Sequence, residues 1–446
     1  MKAVVSSVDQ TLPPRQMFVL GLQHLAVSYI GIITVPLIIA SALKLSQVDA
    51  VILIGATIFF SGIATLLQTV GFWKFGVKLP ILQGVAFSSV GPVIAIGSNP
   101  SMGLAGVCGA VIVAGVFTMI AAPFVGRLRR FFPPVVTGCI VTVIGVQLFP
   151  VAYAWIGGGY GAATFGALPF LLVALTVLVT ILAVNRFGGP LLRNLAVLTG
   201  IAVGTVLGFV LDMSNFSSVA DAPWFTLPTP FHFGVPTFAV VPILTMVVVM
   251  TVQMVESMGL FLAIGDIVEK PIHDKEAING LRANGLASAI AGIFAAFPFI
   301  AFMENIGLTI LTGVRSRWIV ATCGALLCLL ALTPKVSAVF AATPVAVLGG
   351  AGIAMFGVVA AAGIQALARV DYQHNRYNTL IVGITIPAGL IPVFSPTLFQ
   401  ALPEWSQPFL HSGVVIACVV AVVLNILLNG VSAKTESVEQ HCACNA

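Results

Sequence analysis

Two carboxylates stand where water is scarce. The chain holds 14 acidic residues, yet only Glu256 and Glu304 fall inside long apolar runs, VVVMTVQMVESMGLFLAIG and FIAFMENIGLTILTG. A carboxylate in the bilayer interior costs a few kcal/mol by insertion scales and more by other measures. It persists where it lines a cavity, meets a partner or takes up a proton. Other polar residues share such runs: Gln23 and His24 in VLGLQHLAVS, Gln83 with Ser88 and Ser89 in LQGVAFSSVGP, Asn284 in GLRANGLAS, and Asn305 beside Glu304. Two acids with no buried Lys or Arg disfavour an anion as ligand. They suit a cation, or a neutral planar ring rich in N–H donors, because each carboxylate can accept one or two N–H bonds.

Each residue also has a plainer reading. A protonated acid bonded between helices accounts for either carboxylate, and His24 serves as a packing donor. Gln23 serves as interhelical glue, and membrane serines often bond a carbonyl of their own helix. Ionisable groups inside a membrane nonetheless default to function.

The elements that position these groups must be membrane spans. Of 446 residues, 59% are hydrophobic and 7% charged, against roughly 25% charged in a soluble chain. Mean hydropathy is +1.12. The polar start, MKAVVSSVDQTLPPRQ, leads into an apolar run too long for a signal sequence, so no cleavable signal is expected. Cys442 and Cys444 lie beside His441, too thin a donor set on a loose tail for a metal site. No nucleophile–base pair is evident, so neither an enzyme nor a resident cofactor or metal is expected. The net charge of +5 is spread over loops and is no nucleic-acid signal.

Apolar windows of about 17–25 residues mark fourteen spans, at 17–43, 50–71, 77–97, 102–126, 134–156, 165–185, 194–212, 238–265, 279–297, 299–314, 317–333, 338–364, 378–395 and 409–430. With the N-terminus in the cytoplasm, every basic residue except Lys44 and Lys335 falls on the cytoplasmic side. Losing one span midway would invert the later loops and spoil that bias. Both termini are therefore expected inside, the polar tail 431–446 included.

Fourteen spans divide into seven and seven, and an odd half forces the second to run inverted. The fifth and twelfth spans both open on Pro-Val with glycine soon after (Pro134, Gly138; Pro344, Gly349). The third and tenth are both short and Pro-preceded, by Pro80 and Pro298. Such interrupted segments at matching places point to a transporter site, because broken backbone survives only where it faces a cavity or ligand. Spans one, three, eight and ten gather the polar residues named above.

The run Glu304-Asn305-Ile306-Gly307-Leu308-Thr309-Ile310-Leu311-Thr312-Gly313 resembles the signature of the nucleobase–ascorbate transporter family, and the Gln23-His24 pair and Glu256 resemble the same family. The resemblance covers essentially the whole chain. It implies an all-α polytopic membrane protein with fourteen spans in a seven-plus-seven inverted repeat, and short extended pieces in broken spans three and ten. A core domain would take spans 1–4 (17–126) and 8–11 (238–333). A gate domain would take spans 5–7 (134–212) and 12–14 (338–430), between an N-terminal segment 1–16 and the cytoplasmic tail.

The resemblance further implies import of a nucleobase by a homodimer in the inner membrane. The coupled ion is H⁺, with Na⁺ as the alternative. Glu256, Glu304, Phe87, Ser88, Met303, Asn305 and Gln83 would bind substrate; Glu256, His24, Gln23 and Asn284 would couple or support protonation. Leu260 stands where uracil carriers can have histidine and purine members often have aspartate, and Asn284 where many purine members have aspartate. Glu304 is commoner in uracil carriers, whereas Thr312-Gly313-Val314 and a small hydroxyl at Ser88 look purine-like. Purines such as xanthine or uric acid are expected ahead of uracil, with an anion transporter of the related sulfate-permease type behind both.

Overall fold

A computed structural model describes the chain except residues 1–6, 129–130, 160–161, 163, 190–191, 194, 214–218, 221–222, 303–308, 310–314, 404–405 and 431–446. The first half comprises α1 (Pro14–Ala42), α2 (Gln47–Thr69), strand β1 (Gln83–Val85), a 3-10 turn (Phe87–Ser89) running into α3 (Val90–Gly97), α4 (Gly103–Ala121), α5 (Pro134–Val146), α6 (Phe149–Ile156), α7 (Leu168–Phe187) and α8 (Ala196–Val210). The second half comprises α9 (Val240–Ile267), α10 (Asp274–Ile293), strand β2 (Phe299–Ala301), α11 (Arg317–Ala331), α12 (Pro334–Ala341), α13 (Val345–Leu367), α14 (Tyr377–Phe394) and α15 (Gly413–Asn429). Single turns of helix also stand at Ala122–Phe124, Val125–Leu128 and Gln407–Leu410.

Local signals set several of these boundaries. Ser46 caps α2 by accepting the Asp49 N–H at 3.1 Å, and Ser412 caps α15 by accepting the Val415 N–H at 3.3 Å. Such caps satisfy N–H groups that have no partner within the helix. Pro14 and Pro134 open α1 and α5, where the missing N–H is no loss. In the bilayer interior Thr57, Thr118 and Thr142 donate their hydroxyls to the carbonyls of Leu53, Ala114 and Gly138, four residues back. Leu171, Leu172, Leu175, Val179 and Leu182 are exposed along α7. An apolar exposed face on a helix of mean hydropathy 2.4 is a lipid-facing one.

Helix packing repeats between the halves. In the first half α2 packs on α11 of the second; in the second half α10 packs on α4 of the first. The same exchange relates α1–α11 to α9–α4, and α7–α8 to α14–α15. Glycine occupies both of the first two crossings. A Cβ on Gly62 would lie 2.6 Å from the Gly324 carbonyl oxygen, and one on Gly115 would lie 2.7 Å from that of Gly285. Without a hydrophobic drive between helices in lipid, close approach through small residues supplies the packing. The helices thereby sort into two groups: α1–α4 with α9–α11, and α5–α8 with α13–α15.

The structure moves some expected boundaries. The third span is a strand followed by a helix, as its proline suggested. Of the tenth, the described part is β2 and the remainder lies outside the described residues, apart from Thr309. The fifth span is interrupted at Gln147–Leu148, ahead of Pro150. The twelfth starts at Val345 instead of 338, because Pro334 opens a separate short helix bent 82° from α11 and Pro344 then caps a new start. Eight helical stretches among the described residues, with α5 and α6 counted together as Pro134–Ile156, are each long and apolar enough to cross a membrane; shorter apolar pieces are Phe87–Gly97, Ala196–Val210 and Gly413–Asn429.

Candidate substrate site

The two interrupted segments meet. β1 and β2 pair antiparallel, Gln83 opposite Ala301 and Val85 opposite Phe299. The ladder extends through Phe302 N–H to Leu82 O at 3.0 Å and Ala86 N–H to Pro298 O at 3.1 Å. Two short strands can lie inside a membrane protein only because each satisfies the other's backbone and protein encloses both. Neighbouring helices contribute as well: Thr65 of α2 accepts the Gln83 N–H at 2.9 Å, and Ser288 of α10 accepts the Phe299 N–H at 3.0 Å. Gly84 is required by its neighbour, because a Cβ there would come within 2.1 Å of the Phe302 ring.

Immediately after β1 the chain turns into the Phe87–Ser89 turn and α3, so a helix N-terminus forms part-way through the span. Its first N–H groups lack intrahelical acceptors and carry partial positive charge. Beside it is a cavity of about 180 Å³, lined by Phe87, Ser88 and Glu256. Ile300, Ala301 and Phe302 wall one side, and Val141, Ile144 of α5 with Val358, Val359 of α13 close the other. The cavity therefore lies between the two helix groups. Most of its wall is apolar, with a few convergent polar groups, as small-molecule sites usually are. The Phe87 ring meets the buried Phe356 ring edge-on, centroids 6.1 Å apart.

Glu256 is half-buried on α9, and Leu260 lines the same cavity one turn on. One turn before Glu256, Gln253 donates its amide to Ser88 Oγ at 3.0 Å. Sequence reasoning missed Gln253, although its three-residue spacing from Glu256 puts both on one helix face. Among the described residues, the Gln253 Oε1 and both amide atoms of Gln83 are buried without a hydrogen-bond partner. Gln83 itself is fully buried at the β1 edge and does not line the cavity. His24 is buried and Gln23 half-buried on α1; neither lines the cavity.

Asn284 stands behind the site in a directed chain. Val77 N–H donates to Gln68 Oε1 at 3.1 Å, which turns the Gln68 Nε2 toward Gly280 O at 2.7 Å and Asn284 Oδ1 at 2.5 Å. Asn284 Nδ2 must then donate outward, and it does so to Ser257 Oγ at 3.0 Å, next to Glu256. Gln68 and Ser257 were also missed; each looks like an ordinary helix polar residue until the fold joins them. Met303, Glu304 and Asn305 lie outside the described residues, as does the signature run except Thr309. The segment after the run is tied to the α9–α10 loop: Arg315 pairs with Glu269 at 2.7 Å, and its guanidinium holds the Glu269 carboxyl below the usual carboxylate range. Among the described residues no cluster of His, Cys, Asp or Glu suits a metal ion.

Broken spans from two halves, paired beside a cavity between two helix groups, define a multi-pass membrane protein of the inverted-repeat transporter class. The structure resembles the transmembrane domain of a cyanobacterium bicarbonate transporter, BicA, with TM-score 0.61 and 15% identity over 94% of this chain and 99% of that one. At that identity the likeness concerns the fold alone.

The sequence model of the Permease family (Xan_ur_permease) matches residues 15–398, and the chain belongs to that family, the nucleobase–ascorbate transporters. It is 42% identical to the uric acid transporter UacT of Escherichia coli (strain K12), over 97% of this chain and 90% of the relative. It is 40% identical to a xanthine permease of Bacillus subtilis (strain 168), over 94% of this chain and 95% of that one.

Proposed function

We propose that this protein imports a purine nucleobase such as xanthine or uric acid across the inner membrane by proton symport. The observation that carries the reading is Glu256: a carboxylate at a cavity shared by the two helix groups, opposite the helix start at Phe87–Ser88. A purine's ring N–H groups fit a carboxylate acceptor, its carbonyls fit the free N–H groups of a helix start, and its faces fit Phe87 and Phe302. No Lys or Arg lines the cavity among the described residues, which disfavours an inorganic anion such as sulfate. The names of the two relatives support a purine over uracil.

In this reading α1–α4 with α9–α11 form the core that carries substrate, and α5–α8 with α13–α15 form the gate, assembled as a homodimer with both termini cytoplasmic. Protonation of Glu256 neutralises the site and permits the loaded core to move against the gate. Glu304, Met303 and Asn305, on the other broken span, contact the base; His24, Gln23, Gln83 and Asn284 support the site from behind.

The test is uptake of labelled xanthine by cells expressing the protein, in competition with unlabelled xanthine, uric acid, uracil and sulfate. Xanthine and uric acid should compete, and collapse of the proton gradient should stop accumulation. Uptake of labelled uracil without uptake of xanthine would shift the reading to a pyrimidine carrier, and uptake of labelled sulfate without uptake of any nucleobase would discard the nucleobase reading.

A further inference from the structure

A second cavity, of about 570 Å³, opens on the same seam, on the side of the α3–α4 turn. The loop-charge reading places that turn outside the cell. The two cavities are consecutive along the same pair of helices. Phe87, Ser88 and Ile144 line the first; Gly91, Ser98 and Gln147, a turn or more further on, line the second. A solute following the seam between core and gate passes from one to the other.

Gln147 is the polar group at that junction. It sits where the fifth span is interrupted, capping the end of α5 with its N–H bonded to Val143 O at 2.9 Å. Its Nε2 is buried and has no hydrogen-bond partner among the described residues, an arrangement that leaves its desolvation uncompensated there. Its Oε1 faces glycines of both groups. A Cβ on Gly91 of α3 would lie 3.6 Å from it, and one on Gly413 at the start of α15 would lie 2.9 Å away. An amide with an uncompensated donor, lining the cavity beside two glycines, has the form of a ligand contact once the side chain turns that donor into the space.

The geometry points to a second nucleobase subsite in this outer vestibule, with Gln147 as its hydrogen-bonding residue, occupied before the base reaches Glu256. The inference rests on the nucleobase reading. A carboxamide presents a donor beside an acceptor, which pairs with the adjacent N–H and C=O of a ring lactam through two antiparallel hydrogen bonds. Xanthine, uric acid and uracil all carry such an edge, so the vestibule selects for nucleobases as a class and leaves finer choice to the inner cavity.

The experiment uses the full-length protein in intact cells. Gln147→Leu should raise KM for xanthine uptake about five- to tenfold with kcat little changed, as expected for losing one or two neutral hydrogen bonds. Ser98→Cys, at the exposed rim, is labelled with an impermeant maleimide; Cys108, Cys139, Cys323 and Cys418 are buried. Xanthine should slow that labelling in a Glu256→Gln background, where the inner site is weakened, and should not slow it once Gln147→Leu is added. Normal uptake by the Ser98→Cys protein, together with labelling indifferent to xanthine in the Glu256→Gln background, overturns the subsite, however the Gln147→Leu protein folds. Absence of nucleobase uptake by the unaltered protein overturns the underlying reading, and the subsite with it.

Discussion

Gln253 donates its amide to Ser88 Oγ at 3.0 Å, both residues buried, and so ties the helix that carries Glu256 to the turn that opens the broken third span. The bond fixes the carboxylate's helix against the helix N-terminus that faces it. Ser88→Ala leaves the Gln253 amide without its acceptor, and its Oε1 is already unpartnered. A buried group stranded this way costs about 1–3 kcal/mol. Ser88→Ala should therefore lower thermal stability and raise KM for substrate, whereas pairing it with Gln253→Leu should recover part of the stability. A double variant no more stable than Ser88→Ala would show that the bond is not the source of the loss.

Gly84 and Phe302 make a second dependent pair. The ring covers the glycine so closely that Gly84→Ala forces the strand pair or the ring to move. Overpacking of this kind costs about 1–3 kcal/mol, and here the strain falls on the cavity wall. Gly84→Ala should depress uptake and melting temperature together, and Phe302→Leu added to it should restore some of both. Restoration would be absent if another contact set the requirement for glycine.

These two pairs show what the sequence could and could not disclose. The costly carboxylate at Glu256 and the proline-preceded third and tenth spans were legible, because a membrane penalises charge and open backbone strongly enough to leave a mark on composition. The partners of those groups were not. Gln253 shares a helix face with Glu256, a signal that was present and passed over. Gln68 and Thr65 reach the site from α2, across contacts between distant parts of the chain that no local pattern encodes. The break at Gln147 and the 82° bend before α12 were hidden for another reason: hydropathy is high on both sides, so a window average runs straight through them.

Outside the membrane, Glu269 and Arg315 join the end of α9 to the segment preceding α11. Arg315 lowers the Glu269 carboxyl from its ordinary value. The sign follows: a depressed acid contributes stability above its unfolded value, and that contribution is lost as pH falls through the folded value. Both groups reach solvent, so the effect is small and screened by salt. Glu269→Gln should be slightly less stable than the unaltered protein at neutral pH and low salt, and the two melting temperatures should converge as pH drops below the carboxylate range. A gap that persists unchanged into acid would mean that the pair contributes nothing through its charge.

Asn284 offers a test of the chain behind the site. Gln68 holds its Oδ1 and it donates to Ser257. Asn284→Ala leaves Gln68 and Ser257 each short of a partner, at about 1–3 kcal/mol. Asn284→Asp keeps the shape and can accept from both neighbours, since the Ser257 hydroxyl can turn to donate. Asn284→Ala should be markedly less stable and slower in uptake; Asn284→Asp should retain the fold. Thermal unfolding of detergent-purified protein would decide, and an Asn284→Ala protein as stable as its parent would remove the chain from the account.

The sharpest consequence concerns Glu256. If it carries the coupled proton, removing its charge should uncouple movement from the gradient without removing the fold. Glu256→Gln keeps the size and one acceptor, so substrate contact should weaken while the helix packing around Met254 and Met258, both buried, is unchanged. Reconstituted in vesicles with an imposed pH gradient, the variant should fail to concentrate purine, because a side chain that cannot titrate cannot link the gradient to movement. Exchange of labelled for unlabelled purine across the same vesicles needs no net proton transfer and should persist at a reduced rate. The two assays separate coupling from binding. Loss of both would mark Glu256 as a binding group alone, and full concentrative uptake would place the proton on another residue.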